Sequence, residues 1–401
     1  MAFVRARIAI FLVAAVGLGA AVGILAALVA PGGPGSLARG TESPGASPSD
    51  GSALPSPSPR PTESPRPSPS PTPEPTPVLV PAPLTGLLVT PEAAAYHPIA
   101  VMIDDHSAAR PQSGLSEASV VWHAPAEGGI PRYMAIFQET PPTLVGPIRS
   151  SREYFIAWAA EWRALYVHVG GSPQALATLA SKGRGELVYN ADEFRWGGRY
   201  IWRIKERNAP HNTYSDGPNL RELATVVGAV DGKIEPAWAF GPDAPLDLRP
   251  EGSTIRFAYS TGSVEYAYDL PSNTYRRSVP KDSPQVDAAT AVEIAPKNVI
   301  VMLMSFGTLD DGHPEKKRLE ADVIGSGTAW IATNGKTIEG TWSKAALTDP
   351  TRFFDADGQP VSLTIGQTFI NVLPRGTRVT VIDGTVPAWP RPYPVGGPGR
   401  L

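Results

Sequence analysis

A chain of 401 residues is long enough for two domains with ordinary cores, yet its 45 prolines, about twice ordinary usage, mean that much of it is not globular. A formal net charge of -3 gives no electrostatic reason to expect nucleic acid as a partner. With no cysteine, the chain has no disulfides, no thiol catalysis and no Cys-ligated metal.

Arg5 and Arg7 precede an unbroken apolar run from Ile8 to Ala30. As a helix this run spans a hydrocarbon core of roughly 30 Å. Cations before it and few charges after it put the N-terminus inside and the rest outside. Residues 1–30 therefore read as a signal-anchor transmembrane helix, with the membrane as a partner and a single-pass protein whose folded domains are extracytoplasmic. The alternative is secretion after signal cleavage, since Ser36-Leu37-Ala38 has the small-x-small form of a cleavage site. Residues 31–83 are dominated by Pro, Ser and Thr, with no apolar period to drive folding, and read as a disordered linker. In extended polyproline form, at about 3.1 Å per residue, such a linker reaches roughly 150 Å, a spacer through a wall layer.

Residues 84–230 read as an α/β-type domain. The strand His97–Ile103 ends in Asp104-Asp105-His106, and a buried strand ending in ionisable residues presents them at a sheet edge. At most two of these adjacent residues can face one ligand. SVVWH (Ser119–His123) and IPRYMAIFQ (Ile130–Gln138) are further strands. The second is apolar on both faces, hence central, with Pro131 tolerated at its start. Glu127-Gly128-Gly129 feeds it, so Glu127 and Arg132 either reach a ligand over glycine backbone or close a turn on each other. Arg149-Ser150-Ser151-Arg152 leads into an aromatic helix, Tyr154–Trp162, with Ser150 or Ser151 as its cap. Cations at a helix N-terminus oppose its dipole and call for an anion. That anion is either a phosphate or carboxylate ligand or one of the chain's own acids, Glu127, Asp104 or Asp105. The strand Ala164–Val169 carries His168, which reads as a satisfied structural histidine. It is followed by a helix near Gln174–Lys182. His211 and Asn212 lie in a loop before a helix near Pro218–Val227 that Asn219 or Ser215 would cap.

Residues 231–387 read as a β-rich domain of short alternating segments, with Asn334-Gly335 marking a type I′ hairpin. Residues 388–401 read as a disordered tail. The fold class is thus α+β: an N-terminal mixed-sheet domain and a β-rich C-terminal domain, preceded by a transmembrane helix and linker.

HExxH, GxSxG, Walker and GxGxxG motifs are all absent, so the sequence implies no cofactor, and six histidines without paired short spacing imply no metal. The strings EGGIPRYMAIF, GPIRSSREYF, HVGGSP and APHNTY, with GSGTAWIATNGKTIEGTWSK and PTRFFDADGQPV, resemble the YerB-type family of exported bacterial proteins with paired N- and C-terminal DUF3048 domains of unknown function. The resemblance runs from Leu84 to Pro387. Members typically carry a lipidated cysteine, which this chain lacks, and the family brings no known residue roles. The ligand-binding candidates are Asp104, Asp105, Glu127, Arg132, Arg149, Ser150, Arg152, His211 and Asn212. They suggest a non-enzymatic envelope protein that binds an anionic glycan, polyphosphate or peptide of the cell wall. The alternative is an envelope hydrolase or transferase acting on a phosphorylated or glycan wall precursor, with Asp104 or Glu127 as base or metal ligand, His211 moving a proton and the arginines stabilising anionic charge.

Overall fold

The computed structural model describes residues 78–387. Ten strands form its main sheet: β1 (Ile99–Asp104), β2 (Val120–Pro125), β3 (Pro131–Phe137), β4 (Leu165–His168), β5 (Tyr189–Asp192), β6 (Asn298–Met304), β7 (Gly325–Thr333), β8 (Lys336–Lys344), β9 (Arg352–Phe354) and β10 (Thr368–Pro374). They lie in the order β9-β8-β7-β6-β10-β2-β3-β1-β4-β5. The pairing is mixed. β3 runs antiparallel to both neighbours, whereas β1–β4, β4–β5, β2–β10 and β6–β10 are parallel. Strands from before and after residue 230 thus share one sheet, joined where Thr368–Asn371 pairs with Val120–His123.

The two faces of the sheet carry two cores. β3 contributes Tyr133, Ala135 and Phe137 to one and Met134 and Ile136 to the other, the alternation expected of a strand covered on both sides. The first core is closed by helix Gly217–Val227, through Leu220, Leu223 and Ala224, and by an antiparallel sheet of Thr274–Ser278, Gly262–Asp269, Thr254–Tyr259 and Thr380–Ile382. The second is closed by helices Glu153–Ala159 and Pro173–Lys182 and by Trp238 and Trp342. Each large apolar side chain buried this way contributes about 1.5–3 kcal/mol. The Asn334-Gly335 turn forms as read, both residues at positive φ with Thr333 paired to Lys336.

Several expectations need correction. Among the described residues no helix is long and apolar enough to cross a membrane. The longest named helix, Gly217–Val227, has 11 residues, about 16 Å at helical rise against a core of roughly 30 Å. The span expected over Ile8–Ala30 lies outside the described residues. Among the described residues the fold class is therefore corrected to an α+β unit of mixed and antiparallel sheets with no transmembrane helix, and the single-pass location and the membrane as partner, which rested on that helix, are withdrawn with it. Most of the expected linker and the tail 388–401 also lie outside, but Val80–Pro81, assigned to the linker, pairs with Leu88–Val89. Helix Gly217–Val227 is capped by Asp216, whose carboxylate accepts from Asn219 N, and not by Asn219 or Ser215. Helix Glu153–Ala159 has no side-chain cap, because its N-cap residue is Arg152, whose guanidinium turns to Ser151 O and Glu127, while Ser151, one residue earlier, engages the Tyr166 hydroxyl at 2.9 Å.

Candidate functional site

The register of the central strands sets Asp104 on β1 opposite Arg132 on β3, at the sheet edge where Glu127-Gly128-Gly129 turns into β3. The segment after Ile148 lies across the same edge. Arg149 N donates to Met102 O, Val169 N to Arg149 O, and Ser151 N to Gly170 O. Its side chains meet those of β1 and β3 in an open cleft of about 310 Å³ lined by Asp104, His106, Glu127, Ile130, Arg132, Arg149, Ser150 and Arg152. Three guanidiniums against two carboxylates leave the cleft with one net positive charge.

Asp104 is buried and fully engaged. Its Oδ1 accepts from His106 N at 3.1 Å, and its Oδ2 lies 2.7 Å from His211 Nδ1 and 3.0 Å from Arg149 Nε. Arg149 Nε is off the hydrogen-bonding line and makes an ion pair without an aligned bond. The acceptor Oδ2 fixes Nδ1–H as the donor of this contact, so in the neutral ring the lone pair is on Nε2, the position of a base. His106 stacks on His211 with ring centroids 5.1 Å apart. Its Nδ1 accepts from Ala108 N at 3.1 Å, so its neutral form carries the proton on Nε2.

The arginines answer the charge mismatch through the chain's own acids, the internal option. Arg132 donates from NH1 to Ser150 O at 2.9 Å and from NH2 to Glu127 Oε2 at 2.7 Å. Arg152 donates from NH1 to Ser151 O and pairs through NH2 with Glu127 Oε1. Glu127 thus bridges two guanidiniums, one per oxygen. Arg152 Nε is buried and has no hydrogen-bond partner among the described residues. Burial, partly offset by Tyr154 and Tyr166, pushes the Arg152 guanidinium down to about 10, so it stays charged at neutral pH. Burial also lowers Arg132 and Arg149.

Three of the nine candidates do not line the cleft: His211 is tied to it only through its 2.7 Å contact with Asp104, and Asp105 and Asn212 are engaged elsewhere. Asp105 points the other way from Asp104, as strand alternation requires, into a fully buried network. There it accepts from His123 Nε2 at 3.0 Å, Gln112 Nε2 at 3.2 Å and Arg110 Nε at 3.0 Å. Asn212 closes its own loop, accepting from Arg203 NH1 and donating to Ile204 O. His168 is satisfied by Gly170 O and Asn190 Oδ1, both at 2.8 Å.

Sequence reasoning placed His106 at the strand end beside Asp104 and Asp105 but left it, with His123 and Arg277, out of the candidates. His106 is two residues beyond Asp104 and so shares its side, a signal that alternation offered. His123 interrupts the apolar run SVVWH, and such a residue must find a buried partner. Arg277 NH2 approaches His123 Nδ1 at 3.4 Å, which makes that nitrogen the acceptor and leaves Nε2–H to donate to Asp105. Burial, against the pull of Asp105, lowers His123 from 6.5 to about 4, so it is neutral at pH 7. Burial raises Asp105, but His123, Arg110 and Arg277 outweigh it and hold the carboxyl below its ordinary value.

A mixed ten-stranded sheet contributed by both halves of the sequence, with an acid–histidine–arginine cleft at its edge, defines a two-part α+β protein. Residues 84–229 match the "Protein of unknown function (DUF3048) N-terminal domain" and residues 254–370 the corresponding C-terminal domain. The chain is 33% identical over 302 residues to "Putative lipoprotein YerB" of Bacillus subtilis, covering 73% of this chain and 86% of that one. The crystal structure of YerB protein from Bacillus subtilis superposes with a TM-score of 0.66 at 29% identity, covering 75% of this chain and 99% of that one. The chain belongs to the DUF3048 family.

Proposed function

We propose that this protein is a hydrolase or transferase acting on a phosphorylated or glycan precursor of the cell wall. The observation that carries the reading is the 2.7 Å contact of His211 Nδ1 with Asp104 Oδ2 beside a cleft of three guanidiniums. A carboxylate that fixes the tautomer of an imidazole prepares a general base, and fixed cations nearby stabilise negative charge as it develops. Asp104 serves here as the orienting acid rather than the base, because both its oxygens are engaged. His211 takes a proton from the attacking water or hydroxyl, and Arg149, Arg132 and Arg152 hold the anionic group. Binding without chemistry would use the same arginines but gives the Asp104–His211 pair no role. The name of the Bacillus subtilis relative, a putative lipoprotein, supports a substrate in the envelope; lipid attachment does not carry over to a chain without cysteine.

The test is hydrolysis of 4-nitrophenyl phosphate and of 4-nitrophenyl N-acetylglucosaminide by the purified protein, beside H211A. Loss of a general base lowers kcat by about 10²–10⁴. Turnover of neither probe above the H211A level would refute the reading.

A further inference from the structure

The bridging carboxylate of Glu127 sits where a ligand's anionic group would sit. Each guanidinium it joins is anchored independently, Arg132 on Ser150 O and Arg152 on Ser151 O, so both keep one backbone bond when Glu127 leaves. Exposure is lopsided. The Glu127 side chain is 26% exposed, against 9% for Arg132 and 5% for Arg152. The carboxylate is therefore the member free to swing out. Glu127 precedes Gly128 and Gly129, at φ 61° and 77°; the backbone of this turn is held by Gly129 N to Ala126 O and Ile130 N to Glu127 O, while the space beside Gly128 is open, so it is the Glu127 side chain that can swing. Inside the cleft, the buried Arg152 Nε still awaits an acceptor.

We infer that Arg132 and Arg152 form a binding site for a terminal phosphate monoester, with Glu127 as a built-in placeholder that the incoming phosphate displaces. This rests on the proposed anionic substrate and narrows it. A tethered carboxylate competes at an effective concentration of at least mM order. A ligand carboxylate, or the single charge of a phosphodiester, offers the two guanidiniums no more than Glu127 already does. A phosphate monoester is mostly dianionic above its second pKa of about 6, presents three oxygens, and can satisfy both NH2 groups together with Arg152 Nε. Two charges in place of one make the exchange favourable, and discrimination against diesters follows from the same difference.

The test is calorimetric binding of glycerol 1-phosphate and of dimethyl phosphate to the full chain at pH 7.5 and constant ionic strength. The wild type is expected to bind the monoester at least tenfold more tightly than the diester. Glu127→Gln, which retains the shape and removes the charge, is expected to tighten monoester binding at least tenfold. Glu127→Asp, too short to bridge both guanidiniums, gives an intermediate gain and stands in if the Gln variant melts unlike the wild type. Equal affinity for the two probes, or no gain in either Glu127 variant, overturns the placeholder; if Arg149→Ala still abolishes binding, the anionic-substrate reading survives. Absence of monoester binding in every variant overturns both.

Discussion

Lowering the pH from 7 to 5 should destabilise this protein through His123, and the size of the effect follows from its burial. The imidazole is fully buried and its pKa falls from 6.5 in the open chain to about 4 in the fold. Between those values the unfolded chain binds a proton that the folded site refuses, so stability rises with pH across the window and is lost as pH falls through it. At 1.36 kcal/mol per unit the full gap is worth about 3 kcal/mol, of which the step from pH 7 to pH 5 takes about 2 kcal/mol. His97, also lowered by burial, adds a contribution of the same sign. His123→Gln keeps a donor toward Asp105 and an acceptor toward Arg277 but cannot titrate. Urea unfolding followed by tryptophan fluorescence at a series of pH values measures the difference. The wild type should lose about 2 kcal/mol more than the Gln variant between pH 7 and 5, with the His97 and carboxylate contributions common to both. Superimposable pH profiles would show that His123 is not held neutral and would remove the tautomer assignment that Arg277 supports.

Two other outcomes follow from buried charge and from crowding at a turn. Asp105→Ala leaves Arg277, fully buried, without its counter-charge, whereas Arg110 at 12% exposure can turn outward; the expected cost is about 3–5 kcal/mol. Asp105→Ala combined with Arg277→Met removes both buried charges and should cost less than the sum of the single changes by at least about 1 kcal/mol, so additive urea midpoints would contradict the network. Gly335 and Gly358 share φ 75°, but only at Gly335 would a side chain press on Tyr268, 2.5 Å from its Cε1. Gly358→Ala should therefore cost about 1–2 kcal/mol from backbone strain and Gly335→Ala distinctly more, read as melting temperatures; equal losses would contradict the crowding.

The strands were legible where a local period or a turn residue marks them. Pro131 starts β3, its side chains alternate between two cores, and Asn334-Gly335 closes a hairpin, all from neighbours in sequence. The sheet order was not legible. Nothing in Thr368–Pro374 names Val120–Pro125 as its partner, because an apolar strand period specifies a face and not a neighbour. The cleft shows the same division. The mismatch of Arg149 and Arg152 with a helix N-terminus correctly demanded an anion, but only the folded register shows that Asp104 and Glu127 supply it. The Ser151 hydroxyl likewise finds Tyr166, a residue on β4 that no local motif indicates, whereas the Asp216 cap lay one position from Ser215 and was legible from its neighbours.

Every residue lining the cleft lies between Asp104 and Arg152, which makes the second half of the sequence look dispensable to the site. The buried network argues otherwise. Asp104 faces the cleft and Asp105 faces inward, so the strand end that presents the acid is held from behind. Gln112 Nε2 donates to Asp104 O at 3.0 Å and to Asp105 Oδ1, and Gln285 Nε2 in turn donates to Gln112 Oε1 at 3.1 Å. Arg277 contacts His123 and Gln285, and the Tyr259 hydroxyl donates to His123 O at 2.8 Å. The second half thus contributes no wall to the cleft but fixes the backbone that aims Asp104 at His211. An orienting carboxylate works only if it does not move, and here its rigidity comes from residues more than a hundred positions away.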